Sequence, residues 1–181
     1  AVHFLEVLIE TRSPKYAEFC WGYPFDWITQ KGTISEREPL ITTTPYVYEA
    51  FEVVHSIDRS DRWSGIMRSI AEHAFKDIRD FPVSPGMASS GYHPKDPVGG
   101  VINAAAYRAF LLTQASQQFG EKRYREKAES YVRFVLHNQR PDGSWPYEAG
   151  GTRDFIDHFH TCFVLKALAK IEKNVGHEDC G

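Results

Sequence analysis

The densest group of reactive side chains lies in the stretch IDHFHTC, where Asp157, His158, His160 and Cys162 fall within six residues. A histidine held by a carboxylate can move a proton, because imidazole is the side chain that changes charge near neutral pH. Asp157 and His160 are three positions apart, so on a helix they share a face and the carboxylate can orient the ring. His160 is therefore the candidate general acid or base and Asp157 its partner. The competing reading is a hydrogen-bonded histidine near the core. His, Asp and Cys also ligate zinc, but this spacing matches no zinc signature, and neither metal nor cofactor is expected.

Asp26 and Glu148 form a second candidate pair, each set among aromatics whose desolvating effect raises a carboxyl pKa. Facing one another across a cleft they could hydrolyse a glycoside; each could equally be ion-paired, with Arg37 or Arg153. Their loops, CWGYPFDW and SWPYEAGG, supply Trp21, Tyr23, Phe25, Trp27, Trp145 and Tyr147. Such rings either stack on sugar faces or pack to stiffen long loops. A third loop contributes Ser89, Ser90, Tyr92, His93 and Asp96. Thr44, Asn103 and Thr161 occupy equivalent positions where three apolar helices begin. They are either first-turn caps or the lining of a pocket to which several helix amino ends point, suited to an anion such as a uronate carboxylate. In that second reading His160 and Tyr92 or Tyr147 exchange protons with a sugar and Asn103 steadies its carboxylate. His93, His158, Trp21, Tyr23, Trp27 and Trp145 help to bind it.

These residues need a scaffold, and periodicity supplies one. From Asp61 to Arg79 the apolar residues Trp63, Ile66, Met67, Ile70, Ala71, Ala74, Phe75 and Ile78 form one stripe at the helical period, and Tyr124, Ala128, Tyr131, Val132 and Val135 do the same between Glu121 and Gln139. Both are outer helices, wet on one side. TPYVYEAFEVVHSI, VINAAAYRAFLLTQAS and TCFVLKALAKI are apolar around most of their circumference, as inner helices must be. YEAF at Tyr48, YRAF at Tyr107 and LKAL at Leu165 recur 59 and 58 residues apart, which marks an internal repeat.

The expected fold is all-α: a partial α/α toroid of about three helical hairpins with long aromatic- and Pro/Gly-rich loops on one rim. An α-solenoid or ordinary bundle is the alternative. The repeat units span about 42–100, 101–156 and 157–181, with 1–12 the outer helix of a preceding hairpin. A closed ring needs about five to seven hairpins if every repeat is to bury both flanks. Either the remainder of a longer chain or a second copy is therefore expected to complete it.

Phe134, Val135, Gln139, Gly143 and Trp145 spell F-V-x-x-x-Q-x-x-x-G-x-W. This resembles the core of the repeated Gln-Trp motif of terpenoid cyclases, whose α/α barrel is shared more broadly with protein prenyltransferases. The resemblance implies a structural clamp that ties the end of an outer helix to the start of the next inner one. The basic and small residues expected just upstream are present as Lys127 and Ala128 but lie too far away. The acidic DxDD cluster of squalene-type cyclases is absent, as is a zinc set in prenyltransferase spacing. A looser resemblance, resting on the aromatic-Pro loops that precede inner helices, is to six-hairpin glycosidases, polysaccharide lyases and uronyl epimerases.

The 181 residues carry a net charge of −3, with basic and acidic residues interspersed, so nucleic acid is not an expected partner. No apolar run reaches the ~20 residues of a membrane span. Three cysteines without CxxC spacing, Cys20, Cys162 and Cys180, point to a reducing compartment, and a cytoplasmic location is expected. AVHFLEVLIE reads as a helix lacking a capping residue, which suggests a truncated or processed chain rather than a signal peptide. The functional expectation is a protein that binds or acts on an acidic poly- or oligosaccharide, with lyase- or epimerase-type proton transfer favoured over hydrolysis. A terpenoid-cyclase-like or prenyltransferase-like protein and a non-catalytic scaffold are the alternatives.

Overall fold

The computed structural model describes residues 1–29, 32–151 and 153–175. Six helices dominate these residues: α1 (Val2–Glu10), α2 (Thr44–Asp58), α3 (Asp61–Glu72), α4 (Ile102–Phe119), α5 (Lys122–His137) and α6 (His158–Val175). They alternate as the sequence predicts. Helices α2, α4 and α6 are inner, α1, α3 and α5 are outer, and the hairpins form an arc of an α/α toroid.

Helix α4 is buried continuously from Ile102 to Ala115. Its Ala104, Ala105, Ala106 and Ala109 carry too little side chain to hold neighbours away, so α5 and α6 pack closely along it. Outer helices bury only their stripes: Trp63, Ile66, Met67, Ile70 and Ala71 on α3, and Tyr124, Ala128, Tyr131, Phe134 and Val135 on α5. The α4–α5 turn closes on Gly120, whose φ of 68° is the left-handed conformation in which glycine avoids the Cβ penalty. The inner helices touch one another directly. Tyr46 and Tyr107 share a hydrogen bond of 2.6 Å, the Tyr107 and Phe163 rings lie 5.6 Å apart, and Lys170 pairs with Glu49.

Two features depart from the expected pattern. Short antiparallel hairpins, β1 (Trp27–Thr29) with β2 (Gly32–Ile34) and β3 (Asp80–Ser84) with β4 (Met87–Ser90), stiffen connectors that read as plain loops. Helix α6 is less enclosed than an inner helix should be. Val164, Ala167 and Ile171 are buried, but Phe159 and Leu165 are exposed, and a groove of about 900 Å³ runs between α5 and α6, past Val132, Leu136, Leu165 and Leu168. Among the described residues no outer helix covers that flank.

After α3 the helix passes through one turn of π-helix (His73–Asp77) and stops, leaving backbone carbonyls without helical partners. Arg108 of α4, fully buried, collects them. Its Nε donates to Ala74 O at 2.6 Å and its Nη2 to Ile78 O at 2.8 Å, with longer bonds to the carbonyls of Phe75 and Arg79. Asp80 supplies the counter-charge at 2.8 Å, and the Tyr131 ring lies 4.8 Å from the guanidinium carbon.

The first connector is pinned by close backbone approach. Leu40 N donates to Trp21 O and Arg37 N to Tyr23 O, so Gly22 lies directly against the chain at Glu38. A Cβ on Gly22 would sit 1.9 Å from the Glu38 carbonyl oxygen, which is backbone and cannot rotate away. Gly22→Ala is therefore expected to destabilise the protein by about 1–3 kcal/mol or more, measured as a lower midpoint in chemical denaturation. An unchanged midpoint would show that the two segments separate without cost.

Candidate functional site

The three long connectors meet at the amino ends of the inner helices. The first joins the second through Ile41 N donating to Tyr92 O at 3.0 Å, Thr42 Oγ1 donating to the Tyr92 hydroxyl at 3.3 Å, and Lys95 bonding to buried Glu38 at 2.9 Å. The second joins the third through Ala149 N donating to Gly100 O at 2.8 Å and Ile102 N donating to Tyr147 O at 3.1 Å. Residues more than a hundred positions apart in sequence thus share one rim.

Asp157 stands just before α6 and uses both carboxylate oxygens on one residue. Oδ1 accepts the His160 backbone amide at 2.7 Å, as an N-cap does, and Oδ2 lies 2.7 Å from His160 Nδ1. Slight burial works to raise this carboxyl, but the bonds from the His160 amide and ring outweigh it and hold it below the usual carboxylate range. An ionised Asp157 accepts the Nδ1 proton, which leaves Nε2 as the acceptor nitrogen of the partly buried ring.

Tyr147 packs against this dyad. Its ring stacks on Phe155 at 5.0 Å, meets His160 edge-on at 4.6 Å, and lies 4.8 Å from the Arg153 guanidinium carbon. The loop from Tyr147 to Phe155 doubles back to allow this, with Tyr147 N donating to Phe155 O and Glu148 N to Arg153 O. Burial raises the Tyr147 phenol above its ordinary value, against the opposing pull of Arg153, so it stays protonated at neutral pH. Tyr92 is pushed up in the same way, chiefly by burial, and its ring lies 6.0 Å from Trp27. Trp27 and Phe25 flank Tyr23, forming an aromatic wall on the first connector.

Three of the buried polar atoms without protein partners belong to the connectors or to the first turns of inner helices. Asn103, 4 % exposed in the first turn of α4, leaves Oδ1 unpaired, and Thr161 in the first turn of α6 leaves Oγ1 unpaired. His93 has an unpaired buried Nδ1, and desolvation lowers its pKa despite nearby Asp96 and Glu38. Thr44 differs: its Oγ1 donates to Leu40 O at 2.9 Å, so it is a local structural bond at the start of α2.

Other positions differ from their expected roles. Trp21 is buried and donates its indole N–H to Leu8 O at 2.7 Å, against Phe51 of the core, and Trp145 is buried and donates to Val135 O at 2.8 Å. Neither ring is offered to a ligand; both tie loops to helices, because a large apolar ring with one N–H gains most where a helix carbonyl lies within reach. At the end of α5 it is Asn138, donating to Phe134 O at 2.7 Å, that satisfies a terminal carbonyl, while Gln139 reaches only Gly143 O within its own turn. Gly143 adopts φ 85°, as a tight turn requires. The desolvated Asp26–Glu148 pair is not formed. Asp26 is exposed and accepts the Glu36 amide at 2.7 Å, whereas Glu148 is buried and ion-paired to Arg153 at 2.8 Å. His158 is exposed at the start of α6. Arg153, weighed in the sequence only as a possible ion-pair partner of Glu148, emerges as part of the rim.

No group of three or more His, Cys, Asp or Glu among the described residues is placed to hold a metal ion. Cys20 is buried and Cys162 exposed, both as thiols, and Cys180 lies outside the described residues. No described helix is long and apolar enough to cross a membrane.

No protein-family model matches the chain, and no curated protein matches it. Among solved structures it is similar to the unsaturated glucuronyl hydrolase of Bacillus sp. GL1, described as responsible for the degradation of glycosaminoglycan. That likeness has a TM-score of 0.63 at 15% identity and covers 97% of this chain and 49% of the other. It is also similar to a UGL variant with dGlcA-Glc-Rha-Glc, at a TM-score of 0.64 and 14% identity with the same coverage. The chain thus spans about half the length of these solved relatives. The likeness supports the toroid-glycosidase resemblance and not the terpenoid-cyclase one; in the Gln-Trp-like turn it is Trp145 and Asn138, not Gln139, that hold the end of α5. At this identity the likeness is one of fold.

Proposed function

We propose that the rim binds an acidic oligosaccharide and that the Asp157–His160 dyad transfers a proton at a carbon of its uronate ring. The observation that carries this reading is the dyad itself. A carboxylate fixes one imidazole nitrogen at 2.7 Å and leaves the other free of that bond, on a residue beside the Tyr147 ring of the third connector. Fold likeness to proteins named for unsaturated glucuronyl substrates supports the substrate class.

In this reading the reacting sugar is a saturated uronate, and His160 Nε2 takes the proton from the ring carbon beside its carboxylate, so that the negative charge left behind can spread into the carboxyl group. Tyr147 or Tyr92, kept protonated by burial, returns a proton to the leaving oxygen or to the opposite ring face. At the amino end of α6, where the helix dipole favours an anion, the unpaired Thr161 hydroxyl can donate to a carboxylate, and the unpaired Asn103 Oδ1 in the first turn of α4 can accept from a sugar hydroxyl. Hydrolysis by paired carboxylates fits less well, since Glu148 is engaged by Arg153 and Asp26 by a backbone amide.

The direct test is incubation with saturated and unsaturated uronate oligosaccharides. Ultraviolet absorbance follows gain or loss of the unsaturated bond, and mass spectrometry follows solvent deuterium entering the sugar. A change in either is expected. A folded protein that binds these sugars yet gives no signal by either method would remove the catalytic role and leave binding alone.

A further inference from the structure

A fixed positive charge would add to the helix amino ends in favouring a uronate at this rim, and Arg153 is placed to supply one. Its Nε–H donates to Glu148 Oε2 at 2.8 Å, and its guanidinium carbon lies 4.8 Å from the centre of the Tyr147 ring that touches His160. Tyr92 and Asp96 of the second connector lie within electrostatic reach of it. The arginine is thus held by the third connector, with its charge felt by the second.

The two partners are unequally placed. The Arg153 side chain is 28% exposed and that of Glu148 only 9%, so the carboxylate lies beneath and the guanidinium reaches outward. Glu148 is also confined: a Cβ added to Gly151 would lie 2.7 Å from its carboxyl carbon, and one on Gly100 3.4 Å from its Cγ. It thus anchors the arginine through the Nε edge. A guanidinium carries five N–H donors in a rigid fork that matches a carboxylate two at a time.

We propose that Arg153, anchored by Glu148, recognises the carboxylate of the sugar and sets a preference for uronates over neutral sugars at this rim. This rests on the carbohydrate reading above, and Arg153 acts in it as a binding residue, with no proton to exchange.

The test is calorimetric titration with an unsaturated chondroitin disaccharide and its carboxyl-reduced counterpart. Wild type is expected to bind the acid about tenfold or more tightly than the reduced sugar, as a charge-assisted bidentate contact implies. Arg153→Gln should erase that difference, and Arg153→Lys should keep part of it, because ammonium supplies the charge without the fork. Glu148→Gln keeps an acceptor for the Nε edge but removes the opposing negative charge, and should tighten binding of the acid severalfold while leaving the reduced sugar unchanged. A gain of this kind cannot come from misfolding, so it decides the matter even if Arg153→Gln fails to fold. Equal affinity of wild type for both sugars, a preference that survives in folded Arg153→Gln, or no gain in Glu148→Gln overturns the role of Arg153 while the carbohydrate reading stands. Failure of folded wild type to bind either sugar overturns both.

Discussion

His160→Ala is expected to lower turnover of a uronate oligosaccharide by about 10²–10⁴-fold, the range for loss of a positioned general acid or base. The effect should fall on kcat with little change in KM, because Nε2 is assigned to a proton transfer and not to holding the sugar. Asp157→Asn should reduce kcat by a smaller factor, since the amide still bonds to the ring but no longer favours the tautomer with its proton on Nδ1. The side chain of His160 is 26% exposed and lies at a helix start, so the alanine variant should fold with a thermal midpoint close to wild type. Turnover by His160→Ala at the wild-type rate would dismiss His160 as the proton carrier. Equal losses in the two variants, accompanied by a large drop in midpoint, would mean that the dyad is a cap and nothing more.

Arg108→Met should have the largest effect on stability, about 2–4 kcal/mol, because buried carbonyls left without a donor cost about 1–3 kcal/mol each. Methionine fills much of the volume, so the loss reflects polar groups stranded in the interior. The carbonyls of Ala74 and Ile78 lose their closest donor, and Asp80 loses a partner at 2.8 Å while keeping Lys127 at 2.8 Å and Tyr131. The end of the π-turn and the β3–β4 hairpin should loosen together, visible as faster amide exchange there. Denaturant unfolding of the variant gives the magnitude. A loss below about 1 kcal/mol would show that water or the Lys127 ammonium replaces the guanidinium.

The same site gives a pH dependence. Burial works to raise the Asp80 carboxyl, but the charge of Arg108 and bonds from Lys127 and Tyr131 prevail and hold it below the ordinary carboxylate range. A depressed folded value adds stability above the unfolded value of about 3.9 and loses it as pH falls through the folded one. The gap between wild type and Arg108→Met should therefore be full at neutral pH and narrow in acid. A gap that is constant with pH would mean that Asp80 takes no part.

The architecture was legible because burial leaves a periodic trace. A helix covered on several sides must be apolar around its circumference, and one covered on a single side carries a stripe, so TPYVYEAFEVVHSI and the Trp63–Ile78 stripe declare inner and outer places. Position in the repeat then put Trp27, Tyr92, Tyr147 and His160 at one end of the row. Asp157 and His160 could be paired from spacing because they are neighbours on one helix start.

Other contacts left no such trace. Nothing local distinguishes Trp21, turned into the core, from Trp27, packed between Tyr23 and Tyr92; which way a loop aromatic faces depends on the helix carbonyl that happens to lie within reach of its N–H. Arg108 sits in YRAF as an ordinary charged residue, and only the end of α3 folding over it creates the carbonyls that retain it. Glu148 could equally have faced Asp26, and the turn at Gly150, φ 63°, which brings Arg153 back beside it, decided otherwise.

The sequence by itself thus determined the alternation of helices, the repeat and the local Asp157–His160 pair, because each depends on residues a few positions apart under a fixed helical period. Only the tertiary structure decided which loop aromatics turn into the core, which carboxylate is neutralised and where the buried arginine finds its partners. Those outcomes turn on distances between connectors far apart in the chain, and no local periodicity encodes such distances.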